Sequence, residues 1–115
     1  PDPKFWRENT VRNFILFSRE DANKSPACWT HIFLDADYSV LGYEPAAYRE
    51  YVWGVLEEFT MHVPIDTYLR GRKKWLIDML KEKEIFYVPF FKTRFEEQAR
   101  ANMMSELKTL RNVKE

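Results

Sequence analysis

Apolar side chains recur at helical spacing along most of the chain. Pro45 suits the first position of a helix, because the amide that proline lacks would have no intrahelical partner there. The pattern after Pro45 predicts a helix with one face turned toward a core. Its apolar stripe consists of Tyr48, Tyr51, Val52, Val55, Leu56 and Phe59.

Four other segments have a similar period, so the chain is predicted to be all-α, a compact bundle of about five helices. Polar residues 18–26 between the first two are expected to form a surface loop. The apolar run Ile85–Pro89 is too short and too bounded by proline to predict a strand. The other predicted helices are Phe5–Phe17, Trp29–Val40 with Gly42 as its C-cap glycine, one from Pro64 to the polar run Lys81–Glu84, and Phe91–Leu110.

Composition limits the classes of protein that fit. The 115 residues suggest one domain, residues 1–115. With 45% hydrophobic and 17% aromatic residues the chain is expected to fold rather than to be disordered. Eighteen basic residues balance eighteen acidic ones, which argues against a nucleic-acid partner. No apolar run approaches the length of a membrane span.

Cys28 is the one cysteine, so an internal disulfide is excluded. This favours a reducing compartment, the cytoplasm first and an organelle matrix second, and a packed side chain rather than a reactive thiol. No signal peptide is visible. Because the chain begins at Pro1 rather than methionine, we expect that a segment was removed or that the sequence belongs to something longer.

Two aspartates are the first candidates for chemistry. His31 and Asp35 would share a helix face, but two ligands alone seldom make a metal site. Asp35 and Asp37 would point in different directions, which excludes an acid–base dyad. A capping or surface aspartate is favoured, and either residue would need a partner if it pointed inward.

Three polar residues are candidates for binding. Arg72, in the basic run of residues 70–74, could hold a carboxylate or phosphate in bidentate fashion. A solvated helix face with salt bridges to Asp78 or Glu57 is the favoured alternative. Arg100 fits the same two interpretations, and Asn102 inside a helix suggests a hydrogen-bonding role.

The chain also contains a series of short motifs with a family likeness. Residues 33–42, FLDADYSVLG, resemble the FLDADLxxLG signature of predicted metal-dependent phosphohydrolases of the HD superfamily. The likeness covers about residues 33–110. Further matches follow in the family's order: Tyr48 and Tyr51, Glu58–Phe59, Val63–Pro64, YxxGR at Tyr68–Arg72, Ile85–Phe86, FExxARxN at Phe95–Asn102, and Glu106–Leu107.

The resemblance implies an all-α, partial or degenerate HD-like domain, and hydrolysis of a phosphoester by metal-activated water in the complete family. It makes Asp37 the candidate metal ligand, with Asp35 as a neighbouring carboxylate. The family's remaining ligands, a histidine and a His-Asp pair, precede the matched region. This sequence has no His-Asp dipeptide and departs from the family at residues 18–21, Tyr38 and Leu56.

Two functions remain open. In the first, the chain is a non-catalytic module derived from this family, a structural or protein-binding subunit with a protein partner or a second copy and with no cofactor of its own. Aromatic side chains that a small core cannot hide would then form the interface: Trp6, Trp29, Trp53 and Trp75. In the second, it is the carboxy-terminal portion of an active phosphohydrolase, and a removed or separate segment supplies the other ligands of a divalent metal. The departures favour the first.

Overall fold

The computed structural model describes residues 11–12, 15–16 and 29–113. Within these ranges the chain is helical with no strand, which confirms the all-α prediction, although four α-helices are described rather than about five. Several features of the sequence lie outside the described residues: Trp6, most of the predicted first helix, the loop of residues 18–26, and Cys28. The elements are α1 (Trp29–Tyr38), a 3₁₀ helix (Ser39–Gly42), α2 (Pro45–Thr60), α3 (Ile65–Lys81) and α4 (Pro89–Thr109).

Helix α4 is the element on which the 3₁₀ helix and α3 pack. Its inward stripe is the predicted one: Ala99 and Met103 are fully buried, and Phe95, Leu107 and Leu110 pack against the core. Every described element contributes to this core. The buried apolar residues are Ile32, Ala36, Leu41, Tyr48, Leu76, Ile85, Phe86, Val88, Phe90, Phe91, Ala99 and Met103.

The 3₁₀ helix passes very close to α4 at Gly42. The predicted C-cap role of Gly42 is wrong, because no glycine in the described ranges has a positive φ and the helical path continues through Gly42 itself. A Cβ atom on Gly42 would lie 2.5 Å from the carbonyl oxygen and 2.6 Å from the Cβ of Phe95. Glycine is therefore required here for close approach of two backbones rather than for an unusual backbone angle.

The two prolines predicted to open helices do so. Pro45 is the first residue of α2, and Pro64 directly precedes α3. The apolar stripe of α2 weakens toward its end, because Tyr48 is buried whereas Phe59 is half exposed. Ile65, at the start of α3, is also exposed. The α2–α3 turn thus presents apolar side chains at the surface.

The connector between α3 and α4 is irregular and largely buried. Ile85, Phe86 and Val88 lie in the core, while Tyr87 is exposed. Buried backbone amides need acceptors, and an irregular segment cannot supply them from a helix or sheet of its own. The acceptors come from acidic side chains on α1 and α4, which form the first part of the candidate site.

Candidate functional site

Asp35 is the inward-facing aspartate of α1. Its carboxylate is fully buried and accepts hydrogen bonds from the amides of Tyr87, at 3.0 Å, and Val88, at 2.7 Å. Val88 is the N-cap residue of α4, so Asp35 joins α1 to the start of that helix. Burial raises the pKa of Asp35, and the two amide donors oppose that rise. The favoured prediction of a capping or surface aspartate is wrong for Asp35, because its side chain points inward; the two amides are the partners that an inward aspartate needs.

Glu96, on α4, accepts the two preceding amides of the same connector. Its Oε1 lies 3.0 Å from the nitrogens of both Ile85 and Phe86. Its Oε2 accepts a 2.9 Å hydrogen bond from Nε of Arg100, one turn further along α4. Four consecutive amides, residues 85–88, are therefore bound by two carboxylates from different helices.

Arg100 caps the end of α3. Its guanidinium donates to the carbonyl oxygens of Leu80, Glu82 and Lys83, at 3.3, 2.6 and 3.1 Å. A cation at a helix C-terminus is favourable because unpaired carbonyls concentrate negative charge there. Arg100 thus binds groups of this chain itself, the Glu96 carboxylate and these three carbonyl oxygens.

Asn102 holds the 3₁₀ helix against α4. Its Nδ2 donates to the carbonyl oxygens of Leu41, at 2.9 Å, and Tyr43, at 2.8 Å, and its Oδ1 accepts from Gln98. The hydrogen-bonding role predicted from its place inside a helix is confirmed.

Arg72 and Glu106 form a buried ion pair between α3 and α4. Nε of Arg72 lies 2.7 Å from Oε2 of Glu106, and a terminal nitrogen lies 2.9 Å from Oε1. Both side chains are more than nine-tenths removed from solvent. The favoured prediction of a solvated face with Asp78 or Glu57 as partner is wrong. Arg72 is buried because its position continues the inward face defined by Leu76, four residues later.

Aromatic side chains surround this pair. The hydroxyl of Tyr48 donates to Oε1 of Glu106 at 2.5 Å, and the hydroxyl of Tyr51 accepts from Arg72 at 3.3 Å. The guanidinium lies 4.5 Å from the ring centre of Trp75, a cation–π contact. Tyr68 differs from the others, since its buried hydroxyl has no hydrogen-bond partner in the part of the chain described.

The surroundings of the cluster shift the pKa values of Tyr48 and Arg72. Burial, and then the neighbouring Glu106 carboxylate, raise the pKa of Tyr48. Burial works against the charge of Arg72, but the hydrogen bonds that the guanidinium donates to Glu106, together with the nearby Tyr51 and the Glu106 charge, outweigh burial and raise the pKa of Arg72. Both shifts keep the proton on its group near neutral pH, so Tyr48 stays neutral and Arg72 stays charged, and neither is poised to exchange a proton there.

A groove of about 820 Å³ opens beside the cluster, between α2 and α4. Glu106, Tyr48 and Asn102 belong to its lining, so its base is the hydrogen-bonded interior just described. The remaining lining residues belong to the same two helices: Pro45, Ala46, Arg49, Glu50, Val52, Trp53, Ser105 and Thr109.

Asp37, the candidate metal ligand, lies apart from the cluster and is exposed on α1. His31 stacks on the ring of Tyr87 with centroids 4.4 Å apart, near the connector that Asp35 binds. Within the described ranges no three His, Cys, Asp or Glu side chains lie together as metal ligands. These residues do not by themselves supply the ligand set that a catalytic divalent ion requires.

Comparison of the chain with family models, with curated proteins and with solved structures finds no match. No helix in the described ranges is both long and apolar enough to cross a membrane. The geometry of the chain's own residues is therefore the basis for any functional proposal.

Three residues of the site were not among the candidates from sequence: Tyr48 as a hydrogen-bond donor, Glu96 and Glu106. A signal for Glu106 exists in the pattern of α4. It follows Met103 by three residues and Ala99 by seven, so it falls on the buried face. An acid on an apolar stripe predicts a buried partner, and the basic residue on the stripe of α3 is Arg72.

Proposed function

We propose that the chain is a non-catalytic helical module related to the HD-type phosphohydrolases, acting as a structural or protein-binding subunit. The observation that carries the proposal is that the polar side chains of the matched motifs form hydrogen bonds within the fold. Asp35, Arg72, Arg100 and Asn102 each bind another element of the same chain. Side chains committed to holding helices together are not available for a substrate.

The surface supports the binding half of this proposal. Large apolar side chains remain exposed at several places on the described helices. Exposed apolar patches on small proteins commonly mark interaction sites, so this exposure supports a binding function. Of the predicted interface residues, Trp29 and Trp53 are exposed and Trp75 contacts Arg72 instead. The others exposed on residues 29–113 are Phe33, Leu34, Phe59, Met61, Ile65, Tyr87 and Met104.

One observation favours the alternative function. Asp37 occupies the motif position of a metal ligand and is exposed on α1 rather than used inside the fold. In this alternative the chain is the carboxy-terminal portion of an active metal-dependent phosphohydrolase, and a removed or separate segment provides the other ligands. A single carboxylate on this face would complete a site only together with them.

Metal content and hydrolysis distinguish the two functions. We expect the purified chain to contain no stoichiometric Mn, Fe, Co or Mg by mass spectrometry, and to leave p-nitrophenyl phosphate unhydrolysed. Asp37→Ala should then change nothing. Stoichiometric metal that is lost in Asp37→Ala, but kept in the exposed control Asp78→Ala, would overturn the non-catalytic proposal.

A further inference from the structure

The outer face of α2 carries four exposed residues in one stripe: Ala46, Arg49, Glu50 and Trp53. They are three, four and seven residues from Ala46, so they lie on one side of the helix over about 10 Å of its length. All four line the groove between α2 and α4. These four residues form the α2 outer face.

The two charges on this face have no ion-pair partner among the described residues. Arg49 and Glu50 are both exposed, and neither forms an ion pair with any residue of the described ranges. The two are adjacent in sequence and opposite in charge, but adjacent helical residues point about 100° apart and cannot pair with each other. A partner surface that pairs with both charges must carry an acidic and a basic side chain next to each other.

We propose that the α2 outer face docks against the same face of a second copy of this chain, related by a two-fold axis between Arg49 and Glu50. The inference rests on the proposed protein-binding function and names its partner. Around such an axis a surface meets itself in the opposite direction. Arg49 of each copy then faces the partner subunit's Glu50, so the contact forms two ion pairs and each of the four charges is paired once.

The same axis brings a large side chain against a small one. If residue 49 faces residue 50 in antiparallel helices, Trp53 faces the partner's Ala46 at each end of the contact. Trp53 is 59% exposed, and the small side chain of Ser105 on α4 lines the same groove. Tryptophan set against small residues is a common anchor of interfaces. The ion pairs of Arg49 with Glu50 and the packing of Trp53 on Ala46 therefore occur in the same alignment of the two helices.

Long-range electrostatics do not oppose the association, since the chain carries no net charge. The contact uses two turns of one helix, which is less than a standard interface provides. We therefore expect a dimer that forms with rising concentration rather than a permanent one.

Charge reversal and its restoration test the register. In sedimentation velocity from about 10 µM to about 1 mM chain, the wild type should shift from monomer to dimer. Arg49→Glu and Glu50→Arg should each weaken dimerisation about tenfold, because each turns two attractive pairs into repulsive ones. The double variant R49E/E50R should regain wild-type affinity within about twofold, because the exchanged charges pair again. Trp53→Ala should weaken dimerisation by tenfold or more.

Lys74→Glu, an exposed substitution on α3 with the same change in charge as Arg49→Glu, is the control and should leave the dimer unchanged. Circular dichroism should show the wild-type helix content in every variant, since all the altered side chains are exposed. A chain that stays monomeric throughout, or a dimer that R49E and Lys74→Glu affect equally, would overturn the inference. Neither result bears on metal content or hydrolysis, so the proposed non-catalytic function fails or stands separately.

Discussion

Arg72 and Glu106, separated by 34 positions in the sequence, bind each other through two hydrogen bonds in the interior of the protein. The pair joins α3 to α4, and Tyr48 adds α2 to the same carboxylate. Three helices thus converge on one acidic side chain. The energetic consequences of this convergence are open to direct measurement.

Removing one partner of the ion pair should be far more costly than replacing both. We expect Glu106→Leu to lower the free energy of unfolding by about 3–5 kcal/mol, because the Arg72 guanidinium would remain buried without its carboxylate. The double variant R72M/E106L should recover most of that loss, since no uncompensated charge remains. Urea unfolding followed by circular dichroism measures both values.

Arg70→Met provides the control on the same helix. Arg70 is exposed and its contact with Asp66 is 3.9 Å long, so loss of this contact should change the free energy of unfolding by less than about 0.5 kcal/mol.

The double variant R72M/E106L also provides the contradicting outcome. If it is less stable than E106L, the ion pair itself, and not the unpaired charge, carries the stability.

The tyrosines around the pair should respond differently to loss of their hydroxyls. Tyr48→Phe removes a donor to a buried carboxylate and should cost about 1.5–3 kcal/mol of unfolding free energy. Tyr68→Phe should cost nothing or stabilise slightly, because it removes a buried hydroxyl that has no partner in the described part of the chain. Thermal and urea unfolding of the two variants give the comparison; equal losses would contradict the assigned contacts.

Asp35 should make stability depend on pH in a particular direction. Because its pKa in the folded protein is raised above the ordinary 3.8, the native state retains this proton to higher pH than the unfolded chain does. Its contribution to stability is therefore greatest below the unfolded pKa, falls as the pH rises through the folded pKa, and is constant above it.

Asp35→Asn cannot ionise and isolates this contribution. We expect the unfolding free energy of the wild type minus that of the variant to decrease from about pH 3 upward before it levels off. Urea unfolding at a series of pH values measures it. A difference that grows with pH would mean that the amide hydrogen bonds outweigh burial and lower the pKa of Asp35.

Two glycine-to-alanine substitutions should have opposite signs. Gly42→Ala would place a Cβ against the Phe95 backbone and should cost about 3 kcal/mol or more of unfolding free energy. Gly71→Ala adds a Cβ in open space inside α3 and should stabilise by about 0.5–1 kcal/mol. Melting temperatures of the two variants on either side of the wild type would confirm the contrast; a tolerated Gly42→Ala would refute the close approach.

The elements of the fold were accessible from sequence wherever one local rule decided them. Pro45 opens α2 as its missing amide requires, and the apolar stripe of α4 faces the core. The role of Gly42 was not accessible, because it depends on the distance to Phe95 on a helix more than fifty residues away. Sequence periodicity reports which face of one helix is buried and contains no information about the neighbouring helix.

The same limit explains the outcome for the candidate site. The sequence indicates a hydrogen-bonding role for Asn102, inside a helix, and a need for a partner if Asp35 points inward; hydrogen bonds meet both requirements. Arg72 was misplaced because the basic residues next to it are exposed and suggest a solvated face. Its partner Glu106 lies on another helix, so only the packing of α3 on α4 identifies the pair.

The irregular connector has a dynamic consequence. Amides in loops normally exchange their hydrogens with water quickly, because local opening there disturbs few contacts. The four amides of residues 85–88 are bonded to Glu96 and Asp35, which belong to separate helices. Their exchange therefore requires α1 or α4 to move away, so this loop should open only together with the helices and belong to the same cooperative unit.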